Sequence, residues 1–182
     1  MSSTLRRRPR YARIETLTGD VLRRSDVSTP PVPIERLVAE HGIDVRYGDL
    51  GAVSGLMVRE GRSVTIGVND QHSPLRQRFT MAHEFGHFLL HNDIDEHFDE
   101  LYTVRRVHNR DDRSSMAVDV DEIEANFFAA TILMPKPFLD ASNAIDRLDS
   151  NSGVAELART FNVSQHAMSL RLANAYRRHL PF

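Results

Sequence analysis

Apolar side chains in the first half of the chain follow first a helical repeat and then a strand repeat. Residues 11–24 place them along one helix face, and a second helix is expected from Ile34, after the proline-rich connector 28–33. Over residues 43–69 the repeat changes to the alternation of three short strands, with a turn at residues 60–62 between the last two. This half of the chain therefore predicts two helices followed by a small antiparallel sheet.

Two stronger helices are predicted further along. Ser73 is a suitable N-cap for a helix over residues 74–91. The other helix covers residues 119–134, and Pro135 ends it because the residue before a proline is pushed out of the α region. Residues 93–118, between the two helices, are polar and charged and offer only a weak strand signal, at Tyr102-Thr103-Val104.

The composition restricts the chemistry that these elements can carry. The chain has 182 residues and no cysteine, which excludes disulfides, thiolate zinc sites and cysteine nucleophiles and fits a reducing cytoplasm. With a net charge of -2 and no apolar stretch of membrane-spanning length, we expect a soluble, cytoplasmic protein with no membrane partner. Any bound metal must therefore be held by histidine, aspartate and glutamate.

Two histidines on the helix predicted over residues 74–91 carry the clearest chemical signal. His83 and His87 are four residues apart, so both imidazoles leave the same helix face and can converge on one ion. Glu84 follows the first histidine, in the general-base position of a His-Glu-x-x-His zinc site. Gly86 is unfavourable in a helix interior and indicates that another element approaches closely there. The alternative is a pair of hydrogen-bonded core histidines.

A catalytic zinc usually has three protein ligands, so the pair needs a third. His91 lies eight residues from His83, about 12 Å along a helix axis, which is too far for one tetrahedral ion. It is better explained as a residue stabilised by the helix dipole, or as a hydrogen-bond partner of a ligand. The third ligand is therefore expected on the next long helix.

That helix, over residues 119–134, offers Glu122 on the same face as its small and apolar positions. Asn126 lies one turn further and could hydrogen-bond a ligating histidine and fix its ring. Glu124 falls on a different side and is the substitute ligand. The alternative role of Glu122 is a capping box with Asp119 as the N-cap.

At residues 78–91 and 122–135, the sequence resembles the ImmA/IrrE family of metallopeptidases. Weaker similarity extends over residues 31–45, 55–69 and 154–172. The resemblance implies a gluzincin-like site in a mainly helical, zincin-like domain.

In that site the resemblance gives His83, His87 and Glu122 as ligands of one Zn²⁺ ion per chain, with Glu84 activating water. Mn²⁺ or Fe²⁺ would fit the same ligand types. It also implies a substrate, since such proteins typically cleave a partner repressor of the Xre-type helix-turn-helix class, relieving repression of phage, mobile-element or stress-response genes. Oxyanion stabilisation has three candidates in the unmatched stretch: His97, Tyr102 and His108.

Helices expected over residues 153–161 and 165–178 resemble a helix-turn-helix, with Asn162 in the turn and Ser164 as the second N-cap. The basic residues of this pair are candidates for DNA or partner contact: Arg171, Arg177 and Arg178. The alternative is a helical pair that packs on the catalytic domain and turns its arginines to water.

The predicted architecture is thus α+β. It consists of a disordered basic tail (1–10), a zinc metallopeptidase domain (11–148) with a three-stranded antiparallel sheet, and the helix-turn-helix-like module (149–182) packed on it. Two other functions remain open: a regulator that binds DNA or a partner and keeps the zinc for structure, and the toxin of a two-gene module. A glutamate beside the first histidine favours the peptidase, because a structural zinc does not need one.

Overall fold

The computed structural model describes residues 8–91, 103–108, 120–147 and 150–176, and for 103–108 only the backbone. The helices are α1 (Tyr11–Arg24), α2 (Ile34–Glu40), α3 (Pro74–Leu90), α4 (Val120–Leu133), α5 (Lys136–Ala141), a short 3-10 helix (Ala144–Arg147), α6 (Asn151–Phe161) and α7 (Gln165–Ala175). The strands are β1 (Ile43–Gly48), β2 (Val53–Glu60), β3 (Ser63–Asn69) and β4 (Thr103–His108). The predicted α+β class is confirmed, and the strand signal near Thr103 belongs to β4.

The sheet differs from the predicted three-stranded antiparallel sheet in two ways: β4 adds a fourth strand, and the pairing is mixed and not antiparallel throughout. Its order over the described strands is β1-β3-β2-β4. β2 pairs antiparallel with both β3 and β4, whereas β1 runs parallel to β3. The reason lies in the connection after β1. Residues 49–52 reverse the chain, so β1 and β2 run in opposite directions, and β3 then folds back between them.

Asn69, the last residue of β3, fixes the connection between β1 and β2. The side-chain Nδ2 of Asn69, which is fully buried, donates to the carbonyls of Gly51 at 3.0 Å and Val53 at 2.8 Å. At the other end, Gly61 adopts φ +59° in the turn between β2 and β3, a conformation that glycine tolerates best. Both ends of β3 are thereby fixed against the strands beside it.

Helix α3 lies between the sheet and α4, and this position accounts for its burial. Every residue from 80 to 87 is buried. Phe85 of α3 and Phe128 of α4 meet edge to face, with ring centroids 5.7 Å apart. Polar groups on such a helix must find partners within the protein, because an unsatisfied buried group is costly. The two histidines of α3 are therefore placed where their hydrogen bonds decide their geometry.

The close approach expected at Gly86 is confirmed. A Cβ added there would lie 2.9 Å from Cδ1 and 3.1 Å from Cβ of Phe128. Gly19 of α1 is a matched contrast, because nothing lies within 4 Å of its added Cβ. Glycine at position 86 thus lets α3 and α4 pack in close contact. The distance between side chains on the facing sides of the two helices depends on this contact.

We expect Gly86→Ala and Gly19→Ala to shift the free energy of unfolding in opposite directions. Gly19→Ala should stabilise by up to about 1 kcal/mol through helix propensity. Gly86→Ala gains the same propensity but must displace Phe128, and overpacking typically costs about 1–3 kcal/mol, so the net change should be a loss of about 1 kcal/mol. Urea unfolding of the three proteins measures both changes. A Gly86→Ala protein as stable as Gly19→Ala would contradict the close packing.

Helix α7 packs against α4, and α6 packs against α7 and the short 3-10 helix. Asn162 adopts the left-handed conformation (φ 53°, ψ 52°) between α6 and α7, and the hydroxyl of Ser164 accepts from the backbone N–H of Ala167 at 3.1 Å, as predicted. Arg171 donates from Nε to the carbonyl of Met134 at 3.0 Å. Asp140 of α5 accepts from the hydroxyl of Tyr176 at 2.6 Å. The division of the chain at residues 148 and 149 remains a prediction.

No helix within the described parts of the chain combines the length and apolar character that a membrane crossing requires.

Candidate metal centre

The two histidines of α3 converge as their spacing predicts. His83 and His87 are 5% and 1% exposed, and their Nε2 atoms lie 3.0 Å apart. Their rings meet nearly at right angles, with centroids 4.6 Å apart. Each ring thus directs one nitrogen towards the same point, beside the first turn of α4.

Glu122 comes to this point from α4. One carboxylate oxygen lies 3.3 Å from Nε2 of His83 and the other 3.3 Å from Nε2 of His87. Ligands at about 2.0–2.1 Å from a tetrahedral zinc are separated from one another by about 3.3 Å, so the three side chains have the spacing of one shared cation. The Glu122 side chain is 33% exposed, so the group reaches solvent on the side of this carboxylate.

The tautomer of His83 also fits a metal ligand. Its Nδ1 lies 3.2 Å from the side-chain oxygen Oδ1 of Asn126. An amide oxygen can only accept, so Nδ1 carries the proton and the lone pair remains on Nε2, facing His87 and Glu122. The structure places Asn126 where the sequence predicted it. Two imidazoles and one carboxylate are a ligand set that suits zinc and related transition metals.

Glu124 lies in a second group and is not the alternative partner of the two histidines. It is fully buried, and His91 reaches its Oε2 from Nε2 at 3.1 Å. Arg10 binds the same carboxylate through its backbone N–H at 2.7 Å, Nε at 2.9 Å and Nη2 at 2.6 Å. These hydrogen bonds from Arg10 lower the pKa of Glu124 to about 2. The structure therefore does not place Glu124 where it could serve as the third ligand in place of Glu122, and its carboxylate is bound to a guanidinium instead.

Glu84 is completely buried under strand β2. A Cβ added at Gly55 of that strand would lie 3.6 Å from Cγ of Glu84 and 2.3 Å from Cγ2 of Thr80. Only a residue without a side chain lets β2 pass so close to α3 at this point. Gly55 was not singled out from the sequence, although a glycine inside a strand is a known signal for close backbone approach.

Two residues differ from what the sequence predicted. Within the tail predicted to be disordered over residues 1–10, Arg10 is fixed by the buried carboxylate of Glu124, which binds its guanidinium. Residues 1–7 lie outside the described residues, and for them disorder remains a prediction. Arg171 was a candidate for DNA or partner contact, with a water-facing arginine as the alternative, but it is only 4% exposed and its guanidinium lies 5.8 Å from the ring centroid of Phe127. Burial lowers the pKa of Arg171, and the side chain serves the packing of α7 on α4.

Several other candidates lie outside the described residues: Asp119, His97, Tyr102, Arg177 and Arg178. His108 belongs to β4, where the backbone alone is described. Their predicted roles remain predictions.

Two curated relatives share the region that carries this site. The chain is 33% identical over 126 residues to the radiation response metalloprotease IrrE of Deinococcus radiodurans, which covers 68% of this chain and 34% of that protein. It is 32% identical over 133 residues to the protein of the same description from Deinococcus deserti, covering 72% of this chain and 43% of that protein. The chain thus spans less than half the length of these relatives.

A solved structure supports the fold, and a family model identifies the chain. A transcriptional regulator of Mycobacterium tuberculosis superposes with a TM-score of 0.59 at 18% identity, over 89% of this chain and 46% of the regulator, a likeness that concerns the fold alone. The model of the Peptidase_M78 family, described as the IrrE N-terminal-like domain, matches residues 38–173. The match covers His83, His87 and Glu122 and also His91, Asp121 and Glu124, but not Arg10. The chain therefore belongs to the family of IrrE N-terminal-like domains.

Proposed function

We propose that this protein is a zinc-dependent endopeptidase. In the proposal, His83, His87 and Glu122 bind one Zn²⁺ ion and Glu84 is the general base. The observation that carries it is the convergence of two imidazole nitrogens and one carboxylate, 3.0–3.3 Å from one another, on a side open to solvent. Both curated relatives named above are metalloproteases by description, which supports the same reaction class here.

The residues of the chain divide the work of peptide hydrolysis. A bound zinc would supply a Lewis acid that polarises the scissile carbonyl and makes water more acidic. Glu84 takes the proton from the attacking water and returns it to the leaving amine. Its burial beneath Gly55 keeps bulk water away from that carboxylate. Asn126 holds the His83 ring in the tautomer that leaves Nε2 without a proton.

The proposed substrate is a partner transcriptional repressor of the Xre-type helix-turn-helix class, whose cleavage would relieve repression of phage, mobile-element or stress-response genes. The support for this substrate is the resemblance of residues 78–91 and 122–135 to the ImmA/IrrE peptidases. The competing function, a regulator that keeps zinc for structure, does not use Glu84. The burial of Arg171 weakens the version of that alternative in which α7 binds DNA.

Incubation of the zinc-loaded protein with the repressor encoded beside it tests the proposal. We expect two discrete fragments of the repressor, and no fragments when a chelator removes the metal before mixing. An intact repressor in the presence of stoichiometric bound zinc would contradict the substrate. A protein that binds no zinc under these conditions would contradict the peptidase assignment itself.

A further inference from the structure

The group formed by His91, Asp121 and Glu124 lies directly behind the candidate metal centre. We propose that His91 is a positioning residue that fixes the tautomer and the ring orientation of His87, and that Arg10 and Glu124 fix His91 in turn. The inference rests on the proposed metal site, since its consequence is the affinity of that site for zinc.

The rings of His87 and His91 lie within hydrogen-bond distance of each other. Nδ1 of His87 lies 2.9 Å from Nδ1 of His91, with ring centroids 5.1 Å apart. A hydrogen bond between two imidazole nitrogens requires that one donate and the other accept. If His87 donates from Nδ1, the lone pair of its neutral ring is on Nε2, which faces His83 and Glu122. If it accepts at Nδ1, its Nε2 carries the proton and cannot bind a metal.

The carboxylates next to His91 determine which of its ring nitrogens carries a proton. Nε2 of His91 lies 3.1 Å from Oε2 of Glu124 and 3.3 Å from Oδ1 of Asp121. Carboxylate oxygens accept, so Nε2 of His91 carries the proton. With the proton on Nε2, Nδ1 is the ring nitrogen of His91 that can accept, and His87 donates to it when its own Nε2 lone pair is directed at the metal position. The two carboxylates behind His91 thereby leave the lone pair of His87 at the metal position.

Glu124 is in turn fixed by Arg10. The backbone N–H and Nε of Arg10 both donate to Oε1 of this carboxylate, and Nη2 donates to Oε2. Nη2 also lies 3.3 Å from the carbonyl of Leu90, the last residue of α3, so the same side chain ties the end of α3 to α4. Arg10 precedes the family match, which begins at residue 38, and this anchor is therefore a property of the chain's own N-terminal segment.

The same contacts explain why this group is an anchor and not a second metal site. Its ligand-type atoms lie within 4.8 Å of one another, as do those of the first group. Here, however, a guanidinium already supplies the positive charge and occupies both oxygens of Glu124. We therefore expect one zinc ion per chain.

Zinc competition titrations against a chromophoric chelator test the inference, using His91→Ala and His91→Asn. The Asn oxygen can take the place of Nδ1 as an acceptor, whereas alanine offers none. We expect His91→Ala to weaken Zn²⁺ binding by about 10- to 100-fold, the usual effect of losing a hydrogen-bond partner of a ligand, and His91→Asn to stay close to the native affinity. His166→Ala, which removes an exposed histidine, is the control and should leave the affinity unchanged.

The outcomes separate this inference from the proposed function. Equal affinities for native and His91→Ala, or equal losses in His91→Ala and His91→Asn, would overturn the positioning role while leaving the metal site in place. Two ions per native chain would overturn the anchor. A native protein without Zn²⁺ affinity would overturn the proposed function and the inference together. Nitrogen-15 NMR of the native metal-free protein gives a second readout. We expect protons on Nδ1 of His87 and on Nε2 of His91, and a proton on Nε2 of His87 would contradict the inference.

Discussion

Replacing Glu84 by glutamine will lower the rate of repressor cleavage by about 10²- to 10⁴-fold, the range that a positioned general base contributes. Glutamine has nearly the volume of glutamate but cannot accept the proton of the attacking water. The conservative change is needed because Glu84 is fully buried and its Cγ packs close to Gly55, so a smaller residue would leave a cavity under β2. Single-turnover fragment formation at saturating enzyme measures the rate.

The Glu84→Gln protein should bind zinc as the native protein does, because the three proposed ligands are unchanged. With unchanged zinc binding, the lower cleavage rate of Glu84→Gln can be assigned to the loss of proton transfer and not to loss of the metal. Cleavage at the native rate by a zinc-loaded Glu84→Gln protein would show that Glu84 is not the general base and would favour a structural role for the metal.

Glutamine substitutions at Glu122 and Glu124 should separate metal binding from stability. Glu122→Gln removes a charged ligand from the centre. Loss of a residue that only hydrogen-bonds a ligand lowers metal affinity by up to roughly 100-fold, and we expect Glu122→Gln to lower zinc affinity by more than that. Its free energy of unfolding without metal should change little, because the side chain is partly exposed. Competition titration and urea unfolding of the metal-free protein measure the two quantities.

Glu124→Gln should show the opposite pattern. It removes the buried negative charge that Arg10 binds. Removing one partner of a buried ion pair should lower the free energy of unfolding by about 3 kcal/mol, the lower end of the usual range. Its effect on zinc should stay within about 100-fold, because Glu124 acts only through His91. A larger loss of affinity in Glu124→Gln than in Glu122→Gln would mean that the metal ligands have been assigned to the wrong carboxylate.

The part of the site that the sequence predicted depends on local helical spacing. His83, Glu84 and His87 follow from the four-residue repeat, and Glu122 and Asn126 follow from extending one face of the next helix. The structure brings the two histidines and Glu122 together, with Asn126 behind His83. Such positions are predictable in a regular helix, because the direction of each side chain is set by the position of its residue along the helix.

The features that the sequence did not reveal depend on contacts between distant segments. Arg10 and Glu124 are 114 residues apart, and nothing in a basic N-terminal run indicates which carboxylate it will meet. Arg171 is a residue type usually found at the surface, yet the backbone carbonyl of Met134, just after α4, and an aromatic ring accommodate it in the interior. Strand alternation likewise shows which side of β1 faces the core but not that its neighbour is β3.

The ligand set is the central claim, and a crystal structure of the zinc-loaded protein with anomalous data at the zinc edge tests it most directly. We expect one anomalous peak per chain, bonded at about 2.0–2.1 Å by Nε2 of His83, Nε2 of His87 and a carboxylate oxygen of Glu122. A peak between His91, Asp121 and Glu124, or zinc bound without Glu122, would contradict it.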